Sequence, residues 1–145
     1  MQTTLVLALA IFLLTATVLL HYEAFRATSA LAARLSIPPR TRILVVITGI
    51  LVAHLLEIAL YAFAFFAMHE WMGIGAVAGA TDGTALDYFY FSITTYTTLG
   101  VGDVHPIGPL RLVAGVESLN GLLLIGWSAS FTYLAMGEFW TEQPD

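Results

Sequence analysis

Glycine alternates with residues that carry side chains over residues 97–103, Thr-Thr-Leu-Gly-Val-Gly-Asp. Glycine adopts positive φ at little steric cost, so a backbone that alternates between left- and right-handed conformations can turn successive carbonyl groups to one side. Several such segments around one axis would replace the water shell of a dehydrated cation with carbonyl oxygens. The spacing therefore predicts a K⁺-coordinating segment. Its predicted ligands are Thr98, Leu99, Gly100 and Val101, with Gly102 and Asp103 in support.

A short helix is predicted directly before this segment. Thr84 and Asp87 have the spacing of a capping box, and residues 85–96 continue as a helix of about three turns. Such a helix is too short to cross a bilayer, and the irregular backbone that follows it needs protein partners at membrane depth. The two segments together predict a re-entrant pore loop, with the negative end of the helix dipole toward the cation.

The composition is that of a membrane protein. Of the 145 residues, 59% are hydrophobic and 10% are charged, which leaves too little polar surface to cover a soluble globule. Apolar runs predict transmembrane helices at residues 4–20, 43–68 and 109–137. The segment before the first run has no Lys or Arg, which argues against a signal peptide. The predicted fold is an all-α membrane protein with three transmembrane helices and a re-entrant pore helix.

The distribution of basic residues predicts the orientation in the membrane. Four of the five Lys and Arg residues lie between the first two spans, which places that connector in the cytoplasm. The N-terminus then lies outside, residues 69–108 are external and the tail 138–145 is cytoplasmic. Within these segments, residues 23–35 are typical of a short interfacial helix and residues 69–83 of a loop. The compact size favours the plasma (inner) membrane of a prokaryote.

Residues 98–103, Thr-Leu-Gly-Val-Gly-Asp, resemble the Thr-Val-Gly-Tyr-Gly-Asp selectivity filter of the potassium-channel pore family. Leu99 stands for the family's Val and Val101 for its Tyr. In the family, that Tyr hydrogen-bonds to an aromatic cuff and braces the filter, which a valine cannot do. The resemblance implies a K⁺-selective channel. The departure at Val101 leaves a weakly selective monovalent cation channel as an alternative.

The resemblance extends over the pore domain, residues 43–137, which lies between the N-terminal helix with its connector, 1–42, and the tail. Residues 88–97 are similar to the family's pore helix, with Tyr90 and Phe91 at the aromatic cuff. The third span resembles the family's inner helix. The first span is an addition to the two-helix members, and it carries no ladder of arginines like that of a voltage sensor.

Two glycines of the third span could have either of two structural roles. Gly121 and Gly126 could let the helix bend during gating, or they could allow close packing against a neighbouring helix. The resemblance places Gly121 at the family's gating hinge. Both readings stay open at this point.

Polar residues within the second and third spans need partners in a bilayer. The candidates for a buried polar network are His54, Glu57, Glu117 and Asn120. They could form a proton-linked network that adjusts the filter from behind, or a neutral hydrogen-bonded contact between helices. One His with two carboxylates could also hold a metal ion. Asn120 could instead face the ion cavity.

One chain supplies one pore loop, whereas a closed ring of carbonyl cages needs four, so the predicted assembly is a homotetramer in the lipid bilayer. No constellation of catalytic residues is present, and neither an enzyme nor a nucleic-acid partner is predicted. Transported K⁺ is the expected ion, and no organic cofactor is expected. A regulatory partner is left open. The alternative from another class is a non-conducting membrane scaffold or auxiliary subunit.

Overall fold

The computed structural model describes residues 2–141, and the protein is mostly helical. Its helices are α1 (Gln2–Arg34), α2 (Pro39–Phe66), α3 (Ala85–Tyr96) and α4 (Leu110–Thr141), and its strands are β1 (Ala76–Gly79) and β2 (Val104–Ile107). A π-helical turn, Ala67–Trp71, continues α2. Helices α1, α2 and α4 are long and apolar enough to cross a membrane. This confirms the predicted all-α class with three spanning helices.

Helix α1 differs from its prediction. Instead of a span at 4–20 and a separate interfacial helix at 23–35, one helix of 33 residues runs from Gln2 to Arg34. The sequence between these ends has no Gly or Pro to interrupt it, and most of its residues favour helix. One stripe of the helix is buried against α2 and α4. The polar second half of α1 is therefore held by packing against these helices and is not a separate interfacial helix.

The two following helices also begin or end a few residues from their predicted positions. Pro39 occupies the first turn of α2, where a missing N–H costs nothing, so the helix starts before residue 43. Helix α4 starts at Leu110 and continues to Thr141, into the predicted tail. The rest of that tail, 142–145, lies outside the described residues.

The segment between α2 and α4 contains structure that the sequence did not predict. Strands β1 and β2 pair antiparallel, with Ala76 opposite Ile107 and Gly79 opposite Val104. Gly79 has a φ of +116°, and a side chain there would overlap the Asp103 carbonyl. The Ala80 N–H donates to that carbonyl at 2.9 Å. The sheet therefore ties the segment before α3 to the chain that leaves the glycine-containing loop.

Helix α3 has the predicted bounds because its N-terminus is set locally. The Thr84 N–H donates to Asp87 Oδ2 at 2.8 Å, and the Thr84 hydroxyl accepts from the Asp87 N–H, which completes the capping box. The hydrogen bonds from the Thr84 backbone and side chain lower the pKa of Asp87. Helix α3 packs between α2 and α4. The core that holds it there includes Tyr61, Phe65, Met68, Tyr88, Phe91, Leu110 and Val113.

Candidate functional site

The loop after α3 has the backbone conformation that the glycine spacing predicts. Positive φ occurs at alternate residues, namely Thr98 at +59°, Gly100 at +53° and Gly102 at +90°. Among the described residues, Thr98 is the sole non-glycine with positive φ. A left-handed conformation at such a residue costs about 1–2 kcal/mol, so the surrounding contacts must hold it.

Several hydrogen bonds attach this loop to the end of α3. The Gly100 N–H donates to the Thr94 carbonyl at 3.1 Å, and the Thr98 N–H donates to the Thr95 carbonyl at 3.0 Å. From α4, the Ser118 hydroxyl donates to the same Thr95 carbonyl at 3.0 Å. These donors satisfy carbonyl groups that the last turn of a helix leaves open. The loop is thus fixed to the helix that precedes it, while its Leu99 side chain stays exposed.

A second attachment joins the pore helix to the end of the loop. The Tyr90 hydroxyl donates to the two Asp103 carboxylate oxygens at 3.0 and 3.2 Å. This hydrogen bond to the carboxylate raises the pKa of the Tyr90 phenol. Of the two predicted cuff residues, Tyr90 reaches the loop, whereas Phe91 is buried in the core with its ring 4.9 Å from that of Phe65. Asp103 therefore pairs with a pore-helix group.

The two glycines of α4 have different surroundings. A methyl group on Gly121 would overlap the backbone carbonyl of Tyr96, so this glycine allows α4 to approach the end of α3. Around Gly126, no described atom lies within 4 Å of an added methyl group. Close packing is thus the observed role of Gly121, and hinge bending stays a prediction for both.

The four predicted network residues do not form one network. Asn120 Nδ2 donates to the Thr17 hydroxyl at 2.6 Å and to the Tyr61 hydroxyl at 3.3 Å. Asn120 is buried, so it connects α4 to α1 and α2 and does not face a cavity. Glu117 accepts from the Ser92 hydroxyl at 2.5 Å. The other Glu117 oxygen is buried without a partner among the residues that the structure describes.

His54 and Glu57 belong to a closed cycle of hydrogen bonds with three residues that the sequence analysis did not select. We call this cycle the polar ring, and its members are His21, His54, Glu57, Tyr96 and Ser128. His21 Nδ1 lies 2.8 Å from Glu57 Oε1, and His21 Nε2 lies 3.0 Å from Ser128 Oγ. Ser128 Oγ is also 3.0 Å from His54 Nε2, and His54 Nδ1 is 2.9 Å from the Tyr96 hydroxyl. The Tyr96 hydroxyl donates to Glu57 Oε2 at 2.5 Å.

His21 was missed because it follows the predicted span 4–20. Had the helix been extended to Arg34, His21 would have stood out as an ionisable residue in the middle of a spanning helix. Tyr96 and Ser128 carry no comparable signal. Their partners lie tens of residues away in the chain, and only the folded structure brings them together.

His21, His54 and Glu57 also form a group of potential metal ligands, with donor atoms within 4.8 Å of one another. This set differs from the predicted one, because Glu117 is absent and a second His is present. The 2.8 Å between His21 and Glu57 is shorter than the separation of about 3.3 Å that two ligands of a tetrahedral zinc ion would have. Each donor atom already has a hydrogen-bond partner. The geometry is that of a hydrogen-bonded cluster.

Comparisons with known proteins agree with this architecture. A family model described as "Ion channel" matches residues 43–137. The chain is 36% identical over 88 residues to the inward rectifier potassium channel Kirbac3.1 of Paramagnetospirillum magnetotacticum. That match covers 60% of this chain and 27% of the relative, so the chain spans about a quarter of the relative's length. No solved structure matches the chain significantly. Because the family model covers α3, the glycine-containing loop and both flanking helices, the chain belongs to the ion channel family.

Proposed function

We propose that the chain is a subunit of a K⁺-selective channel and that residues 97–103 form its selectivity filter. The observation that carries this proposal is the alternation of positive φ at Thr98, Gly100 and Gly102. In this conformation the carbonyls of the segment are available to an ion on one side. The similarity to an inward rectifier potassium channel supports the same ion.

The proposed ligands are the backbone carbonyls of Thr98, Leu99, Gly100 and Val101 and the Thr98 hydroxyl. Carbonyl oxygens replace the hydration shell of K⁺, and ions at adjacent sites repel one another along the pore. The carboxyl end of α3 leads into this segment, so its dipole favours a cation at the inner end of the filter. Conduction is passive and needs no covalent chemistry or organic cofactor.

We propose a homotetramer as the conducting form. In one subunit the filter is open to its surroundings, and Leu99 and Val101 are 69% and 55% exposed. Irregular backbone at membrane depth must be enclosed by protein or line a cavity, and four filters around one axis satisfy that requirement. The proposed location is a prokaryotic inner membrane, with the N-terminus and the filter entrance outside and the C-terminus in the cytoplasm.

A weakly selective monovalent cation channel is the second candidate, and Val101 is the observation that favours it. Valine offers no hydroxyl to brace the filter from behind. The hydrogen bond between Tyr90 and Asp103 braces the loop two residues after Val101, which favours the selective channel. The ratio of K⁺ to Na⁺ flux decides between the two candidates.

The test is ion flux from liposomes that contain the purified protein, measured with K⁺ and then with Na⁺. Gly100→Ala places a side chain at a φ of +53° without touching any described atom, so its effect is confined to the filter backbone. The matched control is Gly73→Ala, at a φ of +63° and equally open surroundings in the external segment. We expect K⁺ flux that Gly100→Ala abolishes and Gly73→Ala retains.

Other outcomes of this experiment would contradict parts of the proposal. Equal K⁺ and Na⁺ flux in the unmodified protein would favour the weakly selective channel. The absence of flux from intact tetramers would favour a non-conducting scaffold or auxiliary subunit. Equal losses in the Gly100 and Gly73 variants would mean that residues 97–103 are not the filter.

A further inference from the structure

The polar ring joins all four helices and includes Tyr96, the last residue before the proposed filter. His21 lies on α1, His54 and Glu57 on α2, Tyr96 at the end of α3, and Ser128 on α4. The His21 and Glu57 side chains are fully buried, and that of His54 is 14% exposed. Any change in the bonding of this ring therefore acts at once on the pore helix and on the inner helix.

The hydrogen atoms of the ring can be counted without assigning tautomers. Five side chains are linked in a cycle by five hydrogen bonds, and each bond requires one hydrogen. A neutral imidazole brings one N–H, and serine and tyrosine bring one O–H each, whereas an ionised carboxylate brings none. Two neutral histidines with Ser128, Tyr96 and ionised Glu57 thus supply four hydrogens. One bond of the ring stays unmade in that state.

The geometry points to a proton-binding site: we propose that the polar ring binds one excess proton, and that release of this proton loosens the attachment of Tyr96 behind the filter. With the proton bound, the ring has five hydrogens for five bonds and no net charge. The proton is held as an imidazolium paired with Glu57, or as the carboxyl hydrogen of Glu57. Its effect on conduction rests on the function proposed above, whereas its binding does not.

Burial favours the proton-bound form. Without the proton, the ring carries one uncompensated negative charge on the fully buried Glu57, which is costly in a low-dielectric interior. His54 Nδ1 also lies 3.3 Å from Glu57 Oε2, so an imidazolium at His54 faces a carboxylate as well. Apart from the members of the ring, the titratable groups within electrostatic reach are Tyr61 on α2 and Glu117 on α4. Neither group carries a positive charge in any protonation state, so neither opposes binding of the proton.

In the polar ring, His54 is the expected site of proton exchange, and Tyr96 connects the ring to the proposed filter. His54 lines a groove of about 510 Å³ together with Tyr96 and Ser128, and it is less buried than His21. Proton exchange is therefore expected at His54. Tyr96 is the last residue of α3, two residues before Thr98, and Gly121 of α4 packs on its carbonyl. Loss of a bond at Tyr96 thus affects the backbone from which the filter starts.

Glu57→Gln is the decisive substitution, because a carboxamide has nearly the shape of the carboxylate and supplies the missing hydrogen. Its oxygen can accept from His21 while its amino group donates to Tyr96. The variant ring then has five hydrogens at every pH and needs no excess proton. Glu117→Gln is the matched control, since it makes the same change at a buried glutamate outside the ring.

The experiment records the side-chain ¹⁵N signals of the histidines in the assembled protein between about pH 5 and 8, and K⁺ flux over the same range. For the unmodified protein and Glu117→Gln, we expect His21 and His54 to report the loss of one shared proton as the pH rises. Flux should change about fivefold over that step, the equilibrium factor of one typical hydrogen bond. For Glu57→Gln, we expect neutral histidines throughout and a flux that does not depend on pH.

Two results would overturn the proposal. One is the absence of any shared titration of His21 and His54 in the unmodified protein, which tests the proposal even if Glu57→Gln fails to assemble. The other is a titration that Glu57→Gln leaves unchanged. A titration seen in protein that passes no ions would support the proton site and contradict the proposed channel function, so the two failures can be told apart.

Discussion

The Tyr90 hydroxyl donates to the Asp103 carboxylate at 3.0 Å, and this bond connects the middle of the pore helix to the far end of the proposed filter. Near the start of the filter, the Thr98 N–H donates to the Thr95 carbonyl at 3.0 Å. The filter is therefore fixed at both ends. Val101, between them, contributes no polar brace of its own. We infer that the hydrogen bond between Tyr90 and Asp103 braces the proposed filter, the role that a tyrosine at position 101 would otherwise have.

Removal of that contact should lower ion selectivity. Tyr90→Phe keeps the aromatic side chain and deletes the hydroxyl, so it removes the hydrogen bond from the pore helix to Asp103 and keeps the shape of that helix. We expect a several-fold fall in the ratio of K⁺ to Na⁺ flux in liposomes, with assembly retained. Tyr133→Phe, at a 76% exposed tyrosine of α4, is the control and should leave the ratio unchanged. An unchanged ratio in Tyr90→Phe would mean that the filter does not depend on this brace.

A pair of substitutions at Thr98 separates backbone strain from ion coordination. Thr98 has a φ of +59°, where glycine is favoured and a β-branched residue is not. Thr98→Gly should therefore give a more stable protein than Thr98→Ala, by about 1 kcal/mol in the free energy of unfolding. Both variants lose the proposed hydroxyl ligand, so both should show a smaller rise in melting temperature on addition of K⁺. A full K⁺-dependent rise in both would exclude the hydroxyl as a ligand.

The contact of Gly121 with Tyr96 predicts a loss of stability when a methyl group is added. In Gly121→Ala, the new methyl overlaps the Tyr96 carbonyl, and α4 must move away from α3. We expect a decrease of about 1–3 kcal/mol in the free energy of unfolding, the usual cost of overpacking. Gly126→Ala meets no described atom within 4 Å and should be neutral or more stable by up to about 1 kcal/mol. Equal effects of the two would mean that Gly121 is not a packing contact.

Parts of the fold could be predicted because they depend on local signals. The capping box of Thr84 and Asp87 sets the start of α3, and the glycines at 100 and 102 set the conformation of the loop. The three spans follow from composition over long windows. The length of α1 was missed because charged residues such as Glu23 suggested an interface, although packing on α2 and α4 keeps them helical.

The rest of the site depends on contacts between distant parts of the chain. Strand β1 is four residues long, too short for its period to be detected, and its pairing with β2 exists only once the loop has closed. The polar ring brings His21 to Ser128 across 107 positions of sequence. Single residues such as His54 and Glu57 could be selected as buried polar groups. Their partners could not, because hydrogen-bond pairing between spans leaves no periodic pattern in one sequence.

The lowered pKa of Asp87 predicts how the pore helix responds to acid. Its carboxylate accepts from the Thr84 N–H and hydroxyl, and these bonds stabilise the ionised form in the folded protein. The carboxylate therefore adds stability at pH values above its ordinary pKa of 3.8, and this contribution is lost as the pH falls below that value and through the lower pKa of the folded state. We expect the melting temperature of the unmodified protein to fall in that range more than that of Asp87→Asn. Asp82→Asn, in the same loop before α3, should behave like the unmodified protein. If all three proteins follow one curve, the carboxylate of the capping box does not contribute to stability.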